Sequence, residues 1–162
     1  MDAARSPVSE IMRADFVSLR EDDRLDLAEQ VMKLGQVRHL PVLDASRRLV
    51  GIVSQRDLLR ASLTSVLDFA AAERHTFLRA VAVSEVMTRE VQSVSPDTPV
   101  GVAASRMIRH RIGCLPVVDE DGKAVGLLTE TDLLVAAYLG PARGGSASAT
   151  REMSLPRPGE TG

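Results

Sequence analysis

Two tetrapeptides of this 162-residue chain hold the same latent chemistry, Ser54-Gln55-Arg56-Asp57 and Thr129-Glu130-Thr131-Asp132. Each follows a short apolar run and opens a helical pattern, which places it at a strand-to-helix turn. The unpaired N–H groups and positive dipole end of a helix N-terminus receive a phosphate, and a carboxylate in the first turn accepts the hydrogen bonds of a ribose diol. The same S/T-x-x-D spacing is also a capping box, which satisfies the helix's own amides. A box works as well with Glu, so Asp in both copies leans towards the sugar. A second group, Arg38-His39-Leu40-Pro41, offers two basic side chains for charge-assisted hydrogen bonds to an anion, with Arg56 as a further donor; the bland alternative is a solvated turn. Gly113-Cys114-Leu115-Pro116 has neither base. Two sites built on these groups are therefore expected to differ.

Other chemistries find little support. His39 and Cys114 invite a thiol-nucleophile reading, but no orienting carboxylate or oxyanion hole is recognisable, and a lone Cys before Leu-Pro-Val reads as a buried, inert hydrophobe. His39, His75 and His110 form no metal-ligand spacing, and no phosphate-binding Gly-rich loop or G-x-S-x-G elbow occurs. No enzyme is expected. A net charge of −2 and 2% aromatic residues argue against nucleic acid. No apolar stretch approaches the roughly 18 residues of a membrane span, and the opening residues lack a signal-peptide pattern, so a cytoplasmic location is expected.

The elements that must position these residues occur twice. Residues 8–61 align with 83–136 at a constant offset of 75 without a gap, and 18 of the 54 positions are identical. Val8-Ser9-Glu10-Ile11-Met12 falls on Val83-Ser84-Glu85-Val86-Met87, Leu40-Pro41-Val42 on Leu115-Pro116-Val117, and Val50-Gly51 on Val125-Gly126. A unit this short closes no core of its own and is expected to pack on its twin about a pseudo-twofold axis. Within each unit the periodicities predict helix, strand, helix, strand, strand, helix, an α/β class with small sheets flanked by helices. Ser6 is the expected N-cap of the first helix with Pro7 at its first position. Phe16–Leu19 is the expected first strand, Asp22 or Asp23 caps the next helix, and Gly35 ends it. Asp121-Gly122 marks a hairpin. Met12 and Met87 are expected to plug the junction between repeats. The reading divides the chain into repeat one (6–62), a helical linker (63–82), repeat two (83–139) and a disordered tail (140–162).

The short helix ending in Met, the h-Pro-Val strand followed by Asp, and the G-h-h-[ST]-x-x-D element, present twice over about residues 6–139, resemble a tandem pair of cystathionine β-synthase (CBS) domains, a Bateman module. The resemblance implies a regulatory module that binds an adenosine-containing nucleotide, AMP, ADP or ATP, in a cleft between the repeats and passes its occupancy to a protein target in trans or to an oligomer. S-adenosylmethionine, NAD(H), or a ligand-free dimerisation and docking scaffold are the alternatives. By resemblance, Asp57 and Asp132 hold the ribose, with Ser54, Thr129 and Thr131 near sugar and phosphate. Arg38 and His39, with Leu40 and Pro41 behind them, and Arg56 form the phosphate group, and the main chain around Val17, Ser18 and Leu19, around Val91 to Ser93 and around Cys114, Leu115 and Pro116 lines the adenine. Family members commonly form homodimers, for which the apolar faces Leu25–Leu34 and Val100–Ile108 would serve.

Overall fold

A computed structural model describes residues 3–66 and 71–139; the expected tail lies outside them. In repeat one, β1 (Leu19–Arg20), α1 (Leu25–Gly35), β2 (His39–Leu43), β3 (Leu49–Ser54) and α2 (Gln55–Val66) follow in order. Then comes α3 (Ala71–Ala80), and repeat two gives α4 (Val100–His110), β4 (Cys114–Val118), β5 (Ala124–Thr129) and α5 (Glu130–Leu139). Repeat one has a three-stranded sheet in the order β1-β2-β3, with β1 parallel and β3 antiparallel to β2. Repeat two has only the β4-β5 hairpin, its first strand reduced to a single parallel bridge between Val94 and Val117. The residue that follows β1 is Glu21, and its twin is Pro96, which has no N–H to donate to a further rung.

Several local expectations shift. The first helix is a 3₁₀ turn, Val8–Glu10, with Pro7 outside it in an extended conformation; its twin is Val83–Glu85. Neither Asp22 nor Asp23 caps α1: Arg24 holds that position with no side-chain hydrogen bond, while Asp23 accepts the Arg20 N–H at 2.7 Å. Gly35 is the last helical residue, and the left-handed cap is Gln36 (φ 52°), as Arg111 (φ 53°) is for α4.

The two repeats exchange their opening segments. Val8 donates to Thr98 O at 2.8 Å and Val100 to Ser6 O at 2.8 Å; the twin contacts are Val83 to Asp23 O at 2.7 Å and Leu25 to Val81 O at 3.1 Å. Accordingly Val8, Ile11 and Met12 pack in the core of repeat two with Leu115, Val117 and Leu128. Val83 and Met87 pack in the core of repeat one with Leu40, Val42 and Val53. Met12 lies over Gly126 and Met87 over Gly51, where a Cβ would stand 2.9 Å from the Met87 Cγ and 3.1 Å from the Thr88 carbonyl oxygen. The methionines thus plug the opposite repeat, and the glycines opposite them are required by that close approach. The two hairpins also meet, through Leu49 to Gly122 O and Ala124 to Arg47 O, each 3.0 Å. Contacts recurring with their twins across this line are what a pseudo-twofold axis demands.

Candidate functional site

Strand register gathers most of the expected site residues of repeat one at one end of its sheet. His39 stands opposite Ser54 in the β2-β3 ladder, and Leu19 stands beside Val42, which brings Val17 level with Leu40. Arg38 precedes β2, and its carbonyl accepts the Gln55 N–H at 2.8 Å, tying the turn before β2 to the start of α2. Val17, Arg38 and Arg56 are exposed, and Ser18, His39, Ser54 and Asp57 are partly buried. Leu40 and Pro41, like Leu115 and Pro116, are fully buried core residues that face no open cleft with their side chains. They set the backbone of this end instead.

At the start of α2 the capping box is formed. Asp57 Oδ2 accepts the Ser54 N–H at 2.8 Å and the Ser54 hydroxyl at 2.9 Å, while the Ser54 Oγ accepts the Asp57 N–H at 3.1 Å. Asp57 Oδ1 has no hydrogen-bond partner among the described residues. The carboxylate therefore caps with one oxygen and keeps the other, so capping and a role towards a ligand hydroxyl are compatible.

Repeat two builds the same box and closes it further. Asp132 Oδ2 accepts the Thr129 N–H and the Thr129 hydroxyl, each at 2.8 Å, but its Oδ1 pairs with Arg13 Nε at 3.2 Å. Arg13 arrives on the exchanged segment, its backbone fixed by reciprocal 2.9 Å hydrogen bonds with Leu127. Thr88 takes the same place against Ile52 in repeat one. The Ser93 carbonyl accepts Arg106 Nη1 at 2.7 Å, and the twin of Arg106 is Val31. Thr131 is exposed on α5 and takes no part in this box. Neither Arg13 nor Arg106 is foreseeable as a site residue from local spacing, because the exchange that carries Arg13 across is a long-range pairing. Their only sequence signal is the mismatch with the twins Thr88 and Val31.

The first turns of both repeats meet across the axis. A Cβ on Gly113 would lie 3.7 Å from His39 Cε1 and 3.6 Å from Glu130 Oε1. Burial pushes the His39 imidazole below its ordinary 6.5; Asp57 and Glu130 pull it up, Arg38 pushes it further down, and burial wins. His39 therefore stands neutral at pH 7, a hydrogen-bonding group, and the fixed cation at this end is Arg38. Burial, reinforced by Asp132, pushes the Cys114 thiol up to about 12, which leaves no thiolate for nucleophilic attack. Among the described residues no cluster of His, Cys, Asp and Glu could hold a metal ion, and no helix is long and apolar enough to cross a membrane.

Two cavities lie against the helices, the first reaching this end at Arg38 and Gln55. One, of about 480 Å³, is lined by Met32, Lys33, Gln36, Arg38 and Gln55 between α1 and α2. The other, of about 740 Å³, runs between α4 and α5 and is lined by Gly101, Ala104, Ile108, Leu133, Leu134 and Ala137.

A family model for the CBS domain matches residues 8–64 and 83–138. A homoserine O-acetyltransferase of Methanococcoides burtonii is 33% identical over 126 residues, 78% of this chain; the chain spans 23% of that relative's length. Among solved structures, a putative acetoin utilization protein from Vibrio cholerae is 35% identical with a TM-score of 0.69, over 81% of this chain and 89% of the other. The protein CBSX2, solved in complex with AMP, is 29% identical with a TM-score of 0.69, over 82% of this chain and 96% of its own. A CBS domain pair in complex with 5′-methylthioadenosine and S-adenosyl-L-methionine is 25% identical with a TM-score of 0.67, over 80% of this chain and 93% of the other.

Proposed function

Because the chain belongs to the CBS domain family, with two such domains, we propose that it is a regulatory module that senses an adenosine nucleotide, AMP, ADP or ATP, at the ligand end of repeat one. The observation that carries this reading is Asp57. One of its oxygens is spent on the helix cap and the other is unpartnered among the described residues, next to Ser54, the residue opposite His39 in the β2-β3 ladder. The ribose diol donates to Oδ1, the strand backbone at Val17 and Ser18 reads the adenine edge, and Arg38 with Arg56 neutralises the phosphate. Neutral His39 donates one hydrogen bond. Relatives solved with AMP, or with methylthioadenosine and S-adenosylmethionine, support an adenosine-containing ligand. The guanidinium groups of Arg38 and Arg56 favour a phosphate over the cationic sulfonium of S-adenosylmethionine, and NAD(H) shares the adenosine and phosphates and competes in the same test.

Sensing requires that the ligand favour one arrangement of the module by differential affinity. The output we propose is a second copy of the chain or a protein target in trans. The exposed apolar residues Leu34, Leu59 and Leu63 on α1 and α2, and Ile108, Leu134 and Tyr138 on α4 and α5, support a homodimer through the helical faces.

Thermal unfolding against AMP, ADP, ATP, NADH and S-adenosylmethionine tests the ligand reading. A nucleotide at 100 times its dissociation constant is expected to add about 2.7 kcal/mol, enough to raise Tm by several degrees. No shift with any of them at millimolar concentration overturns it and leaves the module as a scaffold.

A further inference from the structure

The two ends carry the same capping box, yet only one has a spare carboxylate oxygen. At repeat two, Thr129 takes Asp132 Oδ2 and Arg13 takes Oδ1. The carbonyl at the adenine-facing position, Ser93 O, is held by Arg106. The polar groups that a nucleoside would need are thus answered by the chain's own guanidinium groups. Asp132 is well covered, with a side chain only 10% exposed, so a ligand hydroxyl has to displace Arg13 rather than bind beside it.

We propose that Arg13, assisted by Arg106, is an internal plug that closes repeat two to nucleotide, so that the module binds one adenosine ligand per chain, at repeat one. This rests on the adenosine-ligand reading above. The plug works because the exchanged segment pins Arg13 by two backbone hydrogen bonds to Leu127, two residues before Thr129, so its guanidinium reaches Asp132 from a fixed base. Thr88, the twin, ends in a hydroxyl and does not pair with Asp57. The absence of a basic pair at Gly113-Cys114 points the same way, since a phosphate entering repeat two would find no cation in the place where repeat one has Arg38.

Isothermal titration with AMP on the wild-type chain, Asp57→Asn, Asp132→Asn, Arg13→Thr, Arg13→Gln and Arg13→Thr/Arg106→Val tests it, with circular dichroism to confirm folding. The wild type is expected to take one AMP per chain. Asp57→Asn removes that site, and Asp132→Asn leaves its affinity unchanged. Freeing Asp132 and Ser93 in the double variant is expected to reveal a second site, its affinity raised by about tenfold, the scale of one exposed ion pair together with one charge-assisted hydrogen bond. Two equivalent sites in the wild type, or a stoichiometry that stays at one in every folded Arg13 variant, overturns the plug while leaving the ligand reading intact. No AMP binding by the wild type or any variant overturns both.

Discussion

Repeats one and two share a backbone pattern and differ in what reaches across from the other. Thr88 on the exchanged segment pairs with Ile52, and Asp57 Oδ1 has no hydrogen-bond partner among the described residues, whereas Asp132 meets Arg13 and has both oxygens engaged. Arg38 and His39 stand where the other repeat has Gly113 and Cys114. A duplication preserves the scaffold of a site because the cap and the strand register are local. What answers the spare carboxylate oxygen of each box differs with the residue delivered from the twin, Arg13 in one case and Thr88 in the other. Chemistry has therefore diverged at the seams while the cores stayed alike.

The largest effect is expected where the exchange itself is broken. Gly126→Val drives a branched side chain into Met12 and should cost about 1–3 kcal/mol in urea unfolding. Adding Met12→Ala should recover part of that loss, and Met87→Ala should not; coupling above about 0.5 kcal/mol with Met12 alone is the signature of the crossed packing. Rescue by Met87→Ala instead would mean each opening segment covers its own repeat.

A smaller effect is expected at the hairpin. Arg47 (φ 65°) and Gly122 (φ 79°) are twins in the left-handed region, and only the glycine adopts it without a Cβ penalty. Arg47→Gly should stabilise the chain by about 1 kcal/mol in thermal unfolding, and Gly122→Ala should lose a similar amount, narrowing the difference between the hairpins from either side.

The smallest is a pH effect peculiar to repeat one. His39 has a folded pKa below its unfolded 6.5, so the unfolded chain binds more protons as pH falls. Its contribution to stability is complete above 6.5 and is lost as pH falls through the lowered folded value. The Tm is expected to fall between pH 7.5 and 5.5, and His39→Gln to flatten that slope. An unchanged slope would place the titrating group elsewhere.

Much of this was legible in the sequence. The constant offset, the Leu-Pro-Val strands, the turn before Gly122 and both S/T-x-x-D boxes are short-range patterns, and the structure forms each of them. The boundaries of helices were less so. Gly35 looked like the stop, yet the left-handed residue is Gln36, and Pro7 lies outside a 3₁₀ turn instead of opening a helix. The first strand of repeat two shrank to one bridge because Pro96 withholds an N–H from the ladder. The exchange of Val8–Met12 and Val83–Met87 left no local mark, since each segment is similar to its twin and packs against the other repeat. The Arg13–Asp132 pair, 119 residues apart, was hidden for the same reason. His39 read as a cation beside Arg38; its burial, a property of the packed interface between repeats, makes it neutral.

The central claim is that repeat one holds the adenosine ligand through Asp57. A crystal structure grown with millimolar AMP tests it most directly. The account predicts one nucleotide per chain, its ribose hydroxyls on Asp57 Oδ1 and its phosphate on Arg38. A nucleotide seated on Asp132 with Arg13 displaced, and the repeat-one end empty, would contradict it.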